Sequence, residues 1–433
     1  MVGGARCVLV TDSVILSDGL VLTPDGPQIL DVLVEDGLVV RVAPQISGEP
    51  RLDCSGCWVG PGFVDLHTHL REPGQEHKED MASGAAAGAA GGYTALMAMP
   101  NTSPAIDTEE RARSAIARSR QIDALEIAVS GAVTAGRAGQ ELAGLEGMLA
   151  AGVRWFTDDG DSVASGDLLR AALKQLHPFG AIVSEHAEDP EQTVGGVMHQ
   201  GEVAELLGVA GMPASAEAAV IIRDLEVMRR TEGRVHMQHV STAEGVGLIS
   251  RAKAEGLALT AEVTPHHLAF DHTELKARDP RFKMKPPLRE PGDVQAVREG
   301  LRSGVIDIVA TDHAPHSPEE TEQAGLEGGA FGVIGLETAA AVVLTATELD
   351  MATFFHRLSI SPARIGRFAD HGRRVAVGSP ANLVVFDSTA TWIPQTFQSR
   401  SRNSPFLGRP LRGRVLATLF RGELTYEAGR TDG

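Results

Sequence analysis

Cysteine is scarce: three residues in 433, Cys7, Cys54 and Cys57, are too few and odd in number for the disulfide framework of a secreted scaffold. Cys54 and Cys57 have the spacing of a redox pair or half a zinc site, but one further cysteine cannot complete a four-cysteine site, so the pair reads as structural. Basic residues are also short, with 39 Lys and Arg against 57 Asp and Glu and a formal charge of −18. Nucleic acid and anionic membrane both require clustered Lys and Arg, so neither is expected as a partner, and a small-molecule substrate is. That substrate can still be an anion, because the field inside a pocket lined by metal ions and an arginine is independent of net charge. No apolar run approaches the ~18 residues of a membrane span. Residues 1–14 lack the basic segment and long apolar stretch of an export signal. These absences predict a cytoplasmic protein. A glycine-rich phosphate fingerprint is missing too: Gly60-Pro61-Gly62 does not make one. The stretch Ser83 to Gly92 has no lysine and hydroxyl pair behind it and reads as a close-packed helix of small residues.

What is present is the composition of a globular chain with a large core, 43% hydrophobic and 22% charged. At about 150 residues per domain the length allows roughly three domains, but an α/β barrel of about 250 residues counts as one. Eight short apolar runs recur between segments of helical character. They are Phe63 to Leu66, Thr94 to Met99, Glu126 to Ser130, Val153 to Phe156, Ala181 to Ser184, Val235 to Met237, Ala258 to Ala261 and Ile306 to Ala310. Strand and helix alternating at this spacing imply parallel βαβ units, and eight of them imply a closed (β/α)8 TIM barrel over residues 61–371. The chain ends differ. Val8 to Val10, Val14 to Leu16, Val32 to Glu35 and Leu38 to Val42 are β-type runs, with Asp36-Gly37 as a hairpin signal. Leu383 to Asp387 and Arg414 to Phe420, with a turn at Gly422, repeat the pattern. Neither end has enough strands for a core of its own, so residues 1–60 and 372–433 are expected to pair into one small β-sandwich domain.

The chemistry lies where the runs stop. Barrel enzymes build their active sites at the C-terminal tips of the strands. Run one is followed by Asp65-Leu66-His67-Thr68-His69, and the period of two in a strand puts His67 and His69 on one face. Run four ends in Asp158-Asp159, run five in Glu185-His186, run six in Gln238-His239 and run eight in Thr311-Asp312-His313. Four histidines and two aspartates from five strand ends are the number and kind needed for two divalent ions sharing a carboxylate. Zinc suits mixed nitrogen and oxygen ligands, and manganese, cobalt and iron are compatible with them as well. Such a pair brings the pKa of a trapped water to about 7 and polarises a carbonyl, so hydrolysis or its reverse is the reaction class. Arg71, two residues past the histidine pair, can hold a carboxylate bidentately. Asn101 ends run two and can bind an amide or serve as turn chemistry. His266 and His267 fall outside the six ligands and read as support.

These segments together resemble a bacterial dihydroorotase of the amidohydrolase superfamily over essentially the full length. The resemblance runs through Gly60 to Gly74, Met99 to Thr102, Phe156 to Gly160, Val263 to Leu268, Ala310 to His316 and Phe331 to Thr338. The His-x-His pair marks only the superfamily. The run His69-Leu70-Arg71-Glu72-Pro73-Gly74 is more specific, as is Asp158-Asp159-Gly160 where hydantoinases and allantoinases carry a carboxylated lysine. The resemblance implies cyclisation of N-carbamoyl-L-aspartate to L-dihydroorotate and back, in pyrimidine synthesis. It implies zinc, two ions per subunit, on His67, His69, His186, His239, Asp312 and one aspartate of the 158–159 pair, with Asp159 favoured on spacing. It further implies Asp312 as proton shuttle, and Arg71, Asn101, His316 and the Phe331-Gly332 backbone around the substrate. One departure stands out: Lys285 precedes Pro286-Pro287-Leu288-Arg289, where the family usually has asparagine, so a cation replaces a substrate-contacting amide. Rival expectations are another cyclic amidohydrolase, of hydantoinase or allantoinase type, and an inactive scaffold for aspartate carbamoyltransferase. The missing lysine counts against the first and the six retained ligands against the second. A homo-oligomer and a complex with aspartate carbamoyltransferase are the assemblies the family suggests. Gly325 to Gly332 has the glycines of a hinged lid.

Overall fold

The computed structural model describes residues 13–429, so Cys7 and the run Val8 to Val10 lie outside it. The eight apolar runs form the strands Phe63–Thr68, Tyr93–Ala98, Glu126–Val129, Trp155–Phe156, Ile182–Glu185, Arg234–Met237, Leu259–Val263 and Ile308–Val309. Each pairs in parallel with the next, the third and fourth through the bridge between Gly131 and Phe156. The circle closes between first and eighth, where Thr68 bridges His313 and the His69 N–H donates to the His313 carbonyl at 2.8 Å. Strands buried on both faces need no polar alternation, which is why they read as continuous apolar runs. Val64, Leu66, Met97, Trp155, Ile182 and Ile308 pack in one cluster with Ile365 and Phe368, the latter just past the helix Ser361–Gly366.

Side chains complete the ladder where pairing is irregular. The register between the first two strands shifts between Asp65 and Thr68, and the Asp65 carboxylate accepts the backbone N–H of both His67 (3.0 Å) and Thr311 (3.1 Å). Burial of that carboxyl pushes its pKa up to about 7. The glycine-rich stretch is the helix Met81–Ala90, capped by Asp80, whose side chain accepts from the Ser83 N–H. Its small residues permit close packing: a Cβ on Gly88 would lie 2.7 Å from Leu125.

Both chain ends meet in one eight-stranded sheet. Leu383–Trp392 pairs with Trp58–Pro61, which pairs with Ser13–Thr23, and the hairpins Gly26–Glu35/Leu38–Ala43 and Leu411–Phe420/Glu423–Glu427 extend the two sides. At the first hairpin Asp36 and Gly37 have φ of 47° and 77°, the left-handed pair that a two-residue turn needs. Leu16, Val32, Val59, Leu383 and Leu419 share its core with Cys54 and Cys57. Burial raises both thiol pKa values, that of Cys57 to about 11, and neither forms a disulfide. The connection 393–410 leaves this sheet and is hydrogen-bonded to loops at the barrel's C-terminal rim. Among the described residues, no helix is long and apolar enough to cross a membrane.

Candidate active site

The strand tips converge on Asp159. One carboxylate oxygen lies 3.3 Å from His67 Nε2 and 3.4 Å from His69 Nε2; the other lies 3.2 Å from His186 Nδ1 and 3.4 Å from His239 Nε2. Asp158 points elsewhere, its oxygens accepting from the N–H groups of Val133 (2.9 Å) and Thr134 (3.0 Å) and from the Thr134 hydroxyl (2.5 Å). Asp312 closes the far side, 2.9 Å from His69 Nε2 and 3.4 Å from His67 Nε2. All six of these side chains (the four histidines, Asp159 and Asp312) are buried. Backbone strain accompanies two of them and the nearby Arg71: Arg71, His239 and Asp312 have φ of 60°, 30° and 48°, a region that non-glycine residues enter at a cost of ~1–3 kcal/mol.

A carboxylate that the strand-tip pattern did not reveal lies beneath the cluster. Glu262 is wholly buried and accepts from His67 Nδ1 at 2.6 Å and His236 Nε2 at 3.0 Å, while His236 Nδ1 meets the Thr260 hydroxyl at 2.8 Å. A proton on His67 Nδ1 leaves its Nε2 lone pair facing Asp159 and Asp312. The place of Glu262 in the sequence was the available signal: it directly follows run seven and is itself followed by the apolar Val263, and Glu is almost never fully buried unless paired.

The electrostatics follow from burial and mutual proximity. Burial disfavours the His67 cation, but Asp159, Asp312 and Glu262 outweigh it and hold its pKa well above the usual value. Burial likewise opposes ionisation of Asp159 and Asp312, and the surrounding histidines overcome it, keeping both carboxyls below the usual range. His69 and His186 are pushed down, chiefly by burial. Two ionised carboxylates and the neutral rings of His69 and His186 thus share one buried cluster with His67, a donor set that suits divalent cations, whose charge would take the place of the extra proton on His67.

The donors suit divalent ions. Ligand atoms of His67, Asp159 and His239 lie within 4.8 Å of one another, and so do those of His67, His69 and Asp312. His67 Nε2 is buried and makes no well-aligned hydrogen bond, although carboxylate oxygens of Asp159 and Asp312 lie 3.3 and 3.4 Å away, an unusual state for such an atom unless something else binds it. His186 is outside both triplets, but its Nδ1 sits 2.9 Å from His239 Nε2.

A cavity of about 350 Å³ opens above this cluster. Arg71, Asn101, Lys285, His316, Phe331 and Gly332 line it beside His69, Asp159, His186 and Asp312. Burial lowers the Arg71 pKa to about 10, which leaves the cation intact at neutral pH. Its Nε donates to the Pro315 carbonyl at 3.2 Å. Burial, then Arg71, push His316 down to about 3, so it is neutral, and its Nε2 lies 3.0 Å from the Phe331 carbonyl oxygen and 3.2 Å from the Arg71 guanidinium. Asn101 turns its amide oxygen to His69 Nδ1 at 2.8 Å, orienting that ring while lining the cavity. Lys285 is 3.0 Å from the buried carboxylate of Glu188. Arg137 also lines the cavity, tied to the Asp158 carbonyl at 3.1 Å and to Asp161 at 2.8 Å; nothing in the strand-tip pattern pointed to it, because it lies in a loop after run three. His267 is held by Thr264 (2.7 Å) and the Pro286 carbonyl (3.0 Å), and His266 stays outside both ligand triplets. The Gly325 to Gly332 stretch holds a short helix, Gly325–Gly328, and is pinned by Lys283, whose Nζ donates to the Gly329 carbonyl at 2.6 Å and lies 4.4 Å from the Phe331 ring.

Comparison with known proteins is consistent across sequence and fold. Residues 56–245 match the family model described as Dihydro-orotase-like. The dihydroorotase of Mycobacterium tuberculosis is 42% identical, the match covering 93% of this chain and 96% of that one. That of Anaeromyxobacter dehalogenans is 41% identical, covering 98% and 100%. Among solved structures, the L-hydantoinase (dihydropyrimidinase) of Arthrobacter aurescens superposes with a TM-score of 0.83 at 25% identity, over 96% of each chain. The dihydropyrimidinase of Brevibacillus agri superposes with a TM-score of 0.82 at 22% identity, over 95% and 94%.

Proposed function

The chain belongs to the dihydroorotase family, and from that premise we propose that its rim cavity converts N-carbamoyl-L-aspartate to L-dihydroorotate and water, reversibly, in the synthesis of the pyrimidine nucleotide UMP. The observation that carries the reading is one cavity in which a carboxylate-bridged histidine cluster faces a buried arginine. His67, His69, His186, His239, Asp159 and Asp312 are the residues that would hold the metal, and two Zn²⁺ sharing Asp159 suit their number and kind. When bound, such ions make water a stronger nucleophile at neutral pH and polarise the amide carbonyl.

The side chains supply the rest. Asp312, kept ionised by the histidines, takes the proton of the attacking water in ring opening and delivers it to the departing ring nitrogen. In ring closure it removes a proton from the carbamoyl nitrogen and returns it to the hydroxyl that leaves as water. Arg71 holds the substrate carboxylate that does not react, with Asn101, His316 and the backbone at Phe331 and Gly332 fixing its orientation. Lys285 adds positive charge to the same wall, shared with Glu188. A hydantoinase specificity is disfavoured at the fourth strand: its tip carries Asp159, and the lysine of this cavity is Lys285, downstream of the seventh strand.

The test is the rate of L-dihydroorotate hydrolysis by metal-loaded protein, beside hydantoin and allantoin, with metal content measured on the same sample. Turnover of dihydroorotate alone is expected. Bound metal with turnover of hydantoin or allantoin and none of dihydroorotate would overturn the assignment.

A further inference from the structure

The connection 393–410 belongs by topology to the small sheet, yet Asn403 within it is only 3% exposed and its side chain reaches two barrel loops. Its amide oxygen accepts the His316 backbone N–H at 3.2 Å, and its amide nitrogen donates to the Ala314 carbonyl at 2.9 Å and the Gly332 carbonyl at 3.0 Å. Its own backbone carbonyl accepts the Ile334 N–H at 3.0 Å. The reversed amide would set two donors face to face and an oxygen against two carbonyls, so the partners fix its orientation.

The loops it joins carry the anion-facing wall of the cavity. One presents His316, 3.2 Å from the Arg71 guanidinium; the other presents Phe331 and Gly332. They approach so closely that a Cβ on Gly332, whose φ is 133°, would lie 2.6 Å from the Ala314 Cβ. Side chains therefore have no room to wedge them apart; the Ala314 N–H donates directly to the Val333 carbonyl at 2.8 Å, and Asn403 adds the ties at Gly332 and His316 on either side of that bond. Asn403 is itself anchored nearby, where the Ser401 hydroxyl donates to the Lys78 carbonyl at 2.8 Å and the Ser399 hydroxyl binds Glu79.

We infer that Asn403 is a positioning residue for substrate recognition: it clamps the His316 loop to the Phe331–Gly332 loop, so that the wall facing the substrate carboxylate is assembled before substrate arrives. The inference rests on the dihydroorotate reading of the cavity. Without the clamp, binding must also restore the loops, a cost that ground and transition states share, so KM rises and kcat holds.

Asn403→Ala and Asn403→Asp are compared with the wild-type chain in L-dihydroorotate kinetics, metal content and peptide-resolved hydrogen exchange. Asn403→Asp is nearly isosteric and keeps the test open if the alanine variant does not fold; it retains the acceptor for His316 but turns an anion on two carbonyls. Both variants are expected to raise KM by about 10–100-fold, with kcat and metal content close to wild type. Exchange should quicken in segments 313–317 and 331–335 and stay unchanged in segment 63–69. An unaltered KM in a folded variant overturns the inference, as does a joint loss of kcat and metal with faster exchange throughout the barrel. Should the wild-type chain not hydrolyse dihydroorotate, the substrate reading has failed on its own, and the exchange pattern decides the clamp.

Discussion

Replacing Glu262 with glutamine keeps the shape of the side chain beneath the histidine cluster and removes its charge. The carboxylate receives two imidazole N–H groups, from His67 at 2.6 Å and His236 at 3.0 Å, and is wholly buried. Glutamine has one acceptor oxygen. If that oxygen meets His67, His236 must move its proton to Nδ1 and donate to the Thr260 hydroxyl, 2.8 Å away. If instead the amide NH2 meets His67, the ring proton moves to Nε2 and blocks the lone pair that faces Asp159 and Asp312. The first arrangement forfeits the charge-assisted part of both bonds and the second disables a ligand. Either way, metal affinity should fall about 10–100-fold, equivalent to about 1.4–2.8 kcal/mol. Zinc-loaded wild-type and Glu262→Gln proteins dialysed against chelator buffers of graded free zinc, with bound metal measured by mass spectrometry, give the two midpoints. Coincident midpoints for a folded variant would refute the orienting role of Glu262.

Other substitutions probe separate parts of the site. Asp312→Ala should lower turnover by about 10²–10⁴-fold while circular dichroism and melting temperature stay near wild type, and retained turnover would remove the proton-shuttle role. Arg71→Ala should raise KM for dihydroorotate and leave any slow hydrolysis of neutral hydantoin unchanged, so an equal loss on both substrates would contradict carboxylate binding. Lys285→Ala strips buried Glu188 of its cation, and because Lys285 is 29% exposed the destabilisation should be only about 1–2 kcal/mol. Adding Glu188→Gln should recover most of that loss, and an additive double mutant in denaturant titration would show the pair to be unimportant. With its thiol pKa raised to about 11, Cys57 is only about 0.1% thiolate at pH 8, and Cys54 less, so peptide mapping should find neither alkylated until the chain unfolds.

The sequence by itself determined the barrel, because strands buried on both faces are apolar along most of their length and eight such runs are separable by eye. It also placed His67, His69, His186, His239 and Asp312 at strand tips, since a polar residue ending an apolar run has few other places to go. The Asp36-Gly37 turn was equally legible, as few other pairs tolerate two successive left-handed residues. Tertiary structure decided what depends on direction and distant contact. The two neighbouring aspartates part company: Asp158 is drawn to the Val133 and Thr134 amides, and Asp159 is left to the histidines. Glu262, within a strand, and Asn403, 87 residues beyond the loop it holds, left no periodic trace, because hydrogen bonds between segments remote in the chain follow from how the barrel closes. Lys285 was visible as a departure from the family pattern, but only the packing of the Glu188 segment against the rim supplied the carboxylate that shares its charge.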